Sequence, residues 1–152
     1  MRDILFRGKR SSDCKWVYGN YIKSPTCKNL YMIEDTEPTI MDSGDRHFIG
    51  CPPVDPATVG QYTGLTDKNG ERIFEGDIIK VTWCVVGRKP VVSYLFVEFA
   101  KGIFETKRIK DNKPYGMVST YVSKEVGDCG VFCEVIGNIH DNPELMEVQS
   151  DG

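Results

Sequence analysis

A mainly β protein with little helix, folded as a small barrel or a twisted antiparallel sheet, is what this sequence predicts. Three observations carry that prediction. Short runs of β-branched and aromatic residues recur along the chain, Gly, Pro, Asn and Asp punctuate them, and only one stretch near the end reads as helix. With 152 residues, 40% of them hydrophobic and 27% charged, the chain can bury one core, or one core with an appended lobe.

Residues 1–24 read as a hairpin. Ile4, Leu5 and Phe6 form a short apolar strand, Ser11-Ser12-Asp13 is a turn, and Trp16-Val17-Tyr18-Gly19-Asn20-Tyr21-Ile22 returns as an aromatic strand closed by Pro25. The pattern weakens over residues 24–56. Leu30-Tyr31-Met32-Ile33 and Phe48-Ile49 are its candidate strands, and Pro38, Pro52, Pro53 and Pro56 leave much of it irregular.

From Val59 the signals sharpen. Asn69-Gly70 supplies two residues that tolerate positive φ, as a tight hairpin turn demands. Gly76-Asp77 then turns the chain into residues 78–86, where apolar positions 79, 81, 83 and 85 fall on one strand face. Gly87-Arg88-Lys89-Pro90 breaks this strand, and residues 91–99 resume it with Val91, Leu95, Val97 and Phe99 on one face. Gly102-Ile103-Phe104-Glu105 pairs next to it. Asp111-Asn112-Lys113-Pro114-Tyr115-Gly116 reads as a loop, and residues 117–122 and 131–139 as strands. Asn142-Pro143-Glu144-Leu145-Met146 supplies a cap residue, a proline preset for a first helical turn, and one short turn of helix. The resulting division is an N-terminal β- and loop-rich extension over 1–58, a lobe folded as a small SH3-like barrel or twisted antiparallel sheet over 59–147, and a tail over 148–152.

The net charge of −3 hides four alternating blocks. Residues 1–30 carry seven basic against two acidic side chains, and 31–77 three against ten. Residues 78–113 carry eight against three, and 114–152 one against seven. Blocks of this kind complement one another within a fold or between subunits. The sharper reading makes Lys101, Lys107, Arg108, Lys110 and Lys113, interleaved with Phe104 and Tyr115, a nucleic-acid surface where cations meet phosphate and aromatics stack on bases.

No apolar run approaches the roughly 20 residues that span a bilayer, and Met1-Arg2-Asp3-Ile4-Leu5-Phe6-Arg7-Gly8 breaks off before a signal-peptide core forms. The expectation is a cytoplasmic protein without a membrane partner. Its six cysteines (Cys14, Cys27, Cys51, Cys84, Cys129, Cys133) are then expected as reduced thiols. Cys129 and Cys133 are the close pair, and no CxxC or His-x-x-x-His partner completes a tetrahedral zinc site, so buried packing is their ordinary role.

Three stretches resemble the signature segments of the YopX family of bacteriophage and prophage proteins. They are the opening Met1-Arg2-Asp3-Ile4-Leu5-Phe6-Arg7-Gly8; the central Val59-Gly60-Gln61-Tyr62-Thr63-Gly64-Leu65-Thr66-Asp67-Lys68-Asn69-Gly70 with Phe74-Glu75-Gly76-Asp77-Ile78-Ile79; and the closing Val135-Ile136-Gly137-Asn138-Ile139-His140-Asp141-Asn142-Pro143-Glu144-Leu145. They follow one another in the expected order almost from end to end, so the resemblance makes the whole chain one YopX-like domain. It implies a phage or prophage origin, a mainly β fold with a small barrel, and self-association. It brings no established activity and no catalytic residues.

The motif residues also have a plain structural reading. Gly60, Gly64, Gly70, Gly76 and Gly137 permit tight turns or close backbone approach, and Asp67, Asn69, Asp77 and Asn142 suit turns and caps through bonds to the backbone. Two features invite a chemical test: Glu75 and Asp77 bracket a glycine, and His140-Asp141 stands just ahead of the helical turn. Such groups bind a divalent cation or run acid–base hydrolysis when they converge. No P-loop, GxSxG or HExxH accompanies them, and His47 follows Gly44-Asp45-Arg46 in an acidic loop, as an exposed histidine does.

The sequence therefore favours a non-enzymatic, self-associating binding protein without cofactor or metal, with a host or phage protein as a further partner. A nucleic-acid-associated protein using residues 101–115 is the alternative, and a metal-assisted hydrolase comes third.

Overall fold

The β-branched and aromatic runs become strands in the computed structural model, which describes residues 4–24, 31–35, 39–40, 47–48, 51–122, 124–126 and 129–147. The chain divides into two compact units, Met1–Tyr62 and Thr63–Gly152.

In the first unit, β1 (Phe6–Lys9) and β2 (Trp16–Lys23) form the expected antiparallel hairpin, with Phe6 opposite Gly19 and Lys9 opposite Trp16. The turn between them is held by Arg10, whose Nε donates to Asp13 Oδ1 at 2.8 Å. β3 (Tyr31–Asp35) adds to β2, and the short pair β4 (Thr39–Ile40) and β5 (His47–Phe48) follows. The expected strands at 30–33 and 48–49 correspond to β3 and β5; Pro25, Leu30 and Ile49 lie outside the described residues. β6 (Gly60–Thr66) begins here, pairing its first residues with β1.

The proline-rich stretch read as irregular is tied down by backbone bonds. Ile33 N–H donates to the Pro52 carbonyl and Val54 N–H to that of Tyr31, while Ser11 N–H reaches Pro53 and Asp55 N–H reaches Lys9. One short segment thus satisfies backbone groups of β3 and of the end of β1 that pairing within the sheet leaves over. It also delivers Val54 to the core of this unit, with Val17 and Ile33, against which Phe6, Tyr21, Tyr31 and Val59 pack.

In the second unit β6 continues beside β7 (Arg72–Phe74). The larger sheet contains β8 (Asp77–Cys84), β9 (Val91–Ala100), β10 (Ile103–Arg108), β11 (Pro114–Met117), β12 (Lys124–Val126) and β13 (Cys129–Asn138), in the order β11-β10-β9-β8-β13-β12. Its pairings are antiparallel, and α1 (Glu144–Glu147) is the expected helical turn. The fold is mainly β, with open sheets rather than a closed barrel among the described residues.

The two-residue period in β8 and β9 places Ile79, Val81, Leu95 and Val97 in one core with Ile73, Val118, Tyr121 and Cys133. The predicted stripe extends too far at its ends. Trp83 is the last β8 residue of that face to pair, with Val91 on one side and Val131 on the other, so Val85 lies past the sheet and is exposed. Val91 and Phe99 share the face but stand at the strand ends, and are exposed too.

Three further expectations change. Residues 118–122 are not a strand, and Met117 ends β11. Val118–Thr120 forms a 3-10 helix, which turns both Val118 and Tyr121, three residues apart, into the core. The loop read over 111–116 is shorter, because Pro114, Tyr115 and Gly116 belong to β11, and an edge strand tolerates a proline with no N–H to give. At Asn69-Gly70 the hairpin forms, yet only Gly70 has positive φ (83°); the paired positive φ values of a two-residue hairpin loop occur instead at Lys101 (52°) and Gly102 (82°), between β9 and β10.

Candidate functional site

The turns of the central and closing motifs are built by buried carboxylates and amides. Asp67, nearly buried, accepts from the N–H groups of Asn69 (2.7 Å) and Glu71 (2.9 Å) with Oδ1, and from Val135 N–H (3.0 Å) with Oδ2. One side chain thereby shapes the β6–β7 turn and fastens it to β13. Asp77, 1% exposed, accepts from Phe74 N–H at 2.7 Å and closes the turn through Glu75 and Gly76. Asn138 accepts from the N–H groups of His140 and Asp141 and donates to the Asp141 carboxylate at 2.9 Å. Asn142, read from sequence as a helix cap, accepts from Asn138 N–H at 3.3 Å and donates to Glu144 at 3.2 Å.

These turns bring together two features that lie 63 residues apart in the chain. Ile139 N–H donates to the Gly76 carbonyl at 2.9 Å, and His140 Nε2 lies 3.7 Å from where a Cβ on Gly76 would project. The Glu75-Gly76-Asp77 bend and His140 are therefore neighbours. The Asp77 carboxylate, however, is buried in its own turn. Among the described residues no three His, Cys, Asp or Glu side chains are grouped as a metal ion requires. The corner fits the structural reading of the motif better than a hydrolytic one.

The basic segment behaves differently from its sequence reading. Lys107 pairs with Glu98 across β9 and β10, Arg108 binds Asp111 at 2.7 Å and lies over the Tyr115 ring, and Lys113 stands 3.9 Å from the same Asp111. Lys101 and Lys110 are exposed. Three of the five cations thus face nearby carboxylates, and Tyr115 stacks on Tyr121 as well as under Arg108. An incoming phosphate would compete with those carboxylates for the cations.

Of the cysteines, Cys14, Cys51, Cys84 and Cys133 are free. Cys129 and Cys133 lie on one strand, four residues apart, which at strand rise separates their Cα atoms by roughly 13 Å. Cys133 is fully buried; burial, with Asp67 nearby, pushes its thiol up to about 11 from an ordinary value near 9.0. The unfolded thiol ionises first as pH rises, so the stability that Cys133 contributes is intact below about 9 and is lost as pH climbs toward about 11. Native protein is expected to react with a thiol reagent at exposed Cys14 well before Cys133, whose labelling follows unfolding; rapid labelling of Cys133 in native protein, read by peptide mass, would contradict this burial.

Sequence reasoning missed the apolar ends of the larger sheet. At one end, Val85 (53% exposed), Val86 (63%), Val91 (61%) and Val92 (42%) surround the β8–β9 loop, which also carries the exposed Arg88 and Lys89. At the opposite end stand Phe99, Ile103 and Met117, all exposed. A signal was present: residues 78–97 contain no Asp or Glu, and valine pairs flank the Gly87-Arg88-Lys89-Pro90 break.

Among the described residues no helix is long and apolar enough to cross a membrane. No curated protein matches the chain. The crystal structure of protein EF1440 from Enterococcus faecalis is similar in fold, with a TM-score of 0.55 and 23% identity over 96% of this chain and 99% of that one. The family model described as YopX protein matches residues 5–147. The three signature stretches lie almost wholly within that match, and the buried turns through Asp67, Asp77 and Asn138 are built from their residues; the chain belongs to the YopX family.

Proposed function

We propose that this chain is a phage- or prophage-encoded accessory protein that works in the host cytoplasm as a self-associating binding module, without catalysis, and docks on a host or phage protein. The observation that carries the reading is the pair of exposed apolar patches at opposite ends of one sheet, Val85, Val86, Val91 and Val92 at one and Phe99, Ile103 and Met117 at the other. At each end these side chains project from both faces of the sheet, and large apolar groups exposed in this way are costly in water unless a partner covers them. Two different patches on one subunit suit head-to-tail contacts, which close into rings when the rotation permits.

The test is solution mass by light scattering at low and high salt, with the absorbance ratio read before nucleic acid is removed. A defined oligomer free of nucleic acid is the expected result. A monomer that arrives with nucleic acid and releases it in salt would reverse the ranking in favour of residues 101–115, because neutralised phosphates release counterions.

A further inference from the structure

We infer that the β8–β9 hairpin tip, residues 85–92, is the arm by which one copy of this chain docks on an acid-rich surface of a second copy. The inference rests on the self-association proposed above and says which element makes the contact and by what chemistry.

The tip combines features that fit a protein interface. Its loop is shaped by a backbone bond from Arg88 N–H to the Val85 carbonyl at 3.1 Å. Val85, Val86, Val91 and Val92 supply exposed apolar side chains, Val91 and Val92 on opposite faces of β9, and Arg88 and Lys89 stand exposed in the loop between the pairs. Apolar side chains and cations gathered at one hairpin tip are the two ingredients of a small interface. Unlike Lys107, Arg108 and Lys113, these two cations have no carboxylate partner among the described residues.

Charge complementarity chooses the occupant. The tip lies in a twenty-residue stretch, 78–97, that carries Lys80, Arg88 and Lys89 and no acid. The same chain holds acid-rich segments at 31–77, seven charges negative in sequence with two of its carboxylates, Asp67 and Asp77, buried in their turns, and at 114–152, six negative. A second copy therefore offers the complement wherever the first copy leaves Arg88 and Lys89 unpaired. Duplex or single-stranded nucleic acid fits less well, since the tip carries no aromatic ring to stack on bases and the chain as a whole is negative. An anionic membrane fits less well for the same lack of Trp or Tyr at the tip.

The test compares full-length wild type with two double variants, Arg88→Glu/Lys89→Glu and Val86→Ser/Val91→Ser, by light scattering over a concentration series at low and high salt. Each is expected to weaken association at least tenfold, and the charge reversal is expected to abolish most of the salt dependence. Lys15→Glu, in the turn between β1 and β2 and in neither apolar end of the larger sheet, should leave it unchanged. Because the altered side chains are exposed at the sheet's end, near-wild-type unfolding midpoints should accompany the loss; Arg88→Gln/Lys89→Gln provides a milder variant for the same comparison. Wild-type assembly that persists in both double variants overturns the assignment and leaves the self-association reading standing. A wild type that is monomeric throughout overturns both.

Discussion

Asp67→Ala is expected to lower the unfolding free energy by about 3–5 kcal/mol, the cost of removing a charged acceptor from three backbone N–H groups, each such bond being worth about 1.5–3 kcal/mol before relaxation. The N–H groups of Asn69 and Glu71 sit in a solvent-facing turn and recover water. The N–H of Val135 lies within β13 and recovers it less readily. Asp67→Asn should recover part of the loss, since one carbonyl oxygen still serves the turn while the amide faces Val135 N–H with the wrong polarity. Urea unfolding followed by tryptophan fluorescence measures both. A loss below about 1 kcal/mol for the alanine variant would mean that the turn and β13 hold each other by packing rather than through this carboxylate.

Gly19→Ala is the other large effect expected. An added Cβ would overlap the Glu34 carbonyl oxygen, with Ile33 Cγ2 3.3 Å away, so β2 and β3 would have to part. Overpacking of this kind costs about 3 kcal/mol or more when backbone must move. The damage should fall on the Met1–Tyr62 unit, whose core includes Ile33 and Val17. Gly70→Ala is the informative contrast: its φ is 83° and nothing lies within 4 Å of the added atom, so the expected cost is only the backbone strain, about 1 kcal/mol. Hydrogen exchange resolved by residue separates the two cases, and equal losses would show that the close approach at Gly19 carries no special weight.

Much of the fold was legible because strand period and turn chemistry are local. Ile79, Val81, Leu95 and Val97 announce a buried face by their spacing alone, and they occupy one. Where the sheet stops is not local. Val85 continues the alternation but lies past the last residue of β8, Cys84, and past the start of β9, where Val91 pairs with Trp83. The stretch after Gly116 shows the opposite failure: its β-branched residues suggest a strand, while the three-residue interval from Val118 to Tyr121 is what serves the core. Asn69-Gly70 looked like the tighter turn because of its residue types, yet the Asp67 side chain shapes a longer one there.

The candidate site was legible in parts. Glu75, Asp77 and His140 were singled out by type, and the bond from Ile139 to Gly76 makes them neighbours, a fact carried by the β8–β13 register and by nothing in either segment. The basic run at 101–115 looked available because its carboxylate partners, Glu98 and Asp111, were counted as charge and not as contacts. The β8–β9 tip went unnoticed because its valines read as strand.

The edge strand β11 has a consequence for how this molecule behaves when crowded. It offers four residues, one of them a proline with no N–H, and at Gly116 (φ 157°) any side chain would collide with the Tyr121 hydroxyl. A neighbour seeking to extend the sheet finds a broken row of donors there. Growth of an endless fibre by strand addition is thus discouraged at that border, where the row of donors that would template cross-β stacking is interrupted.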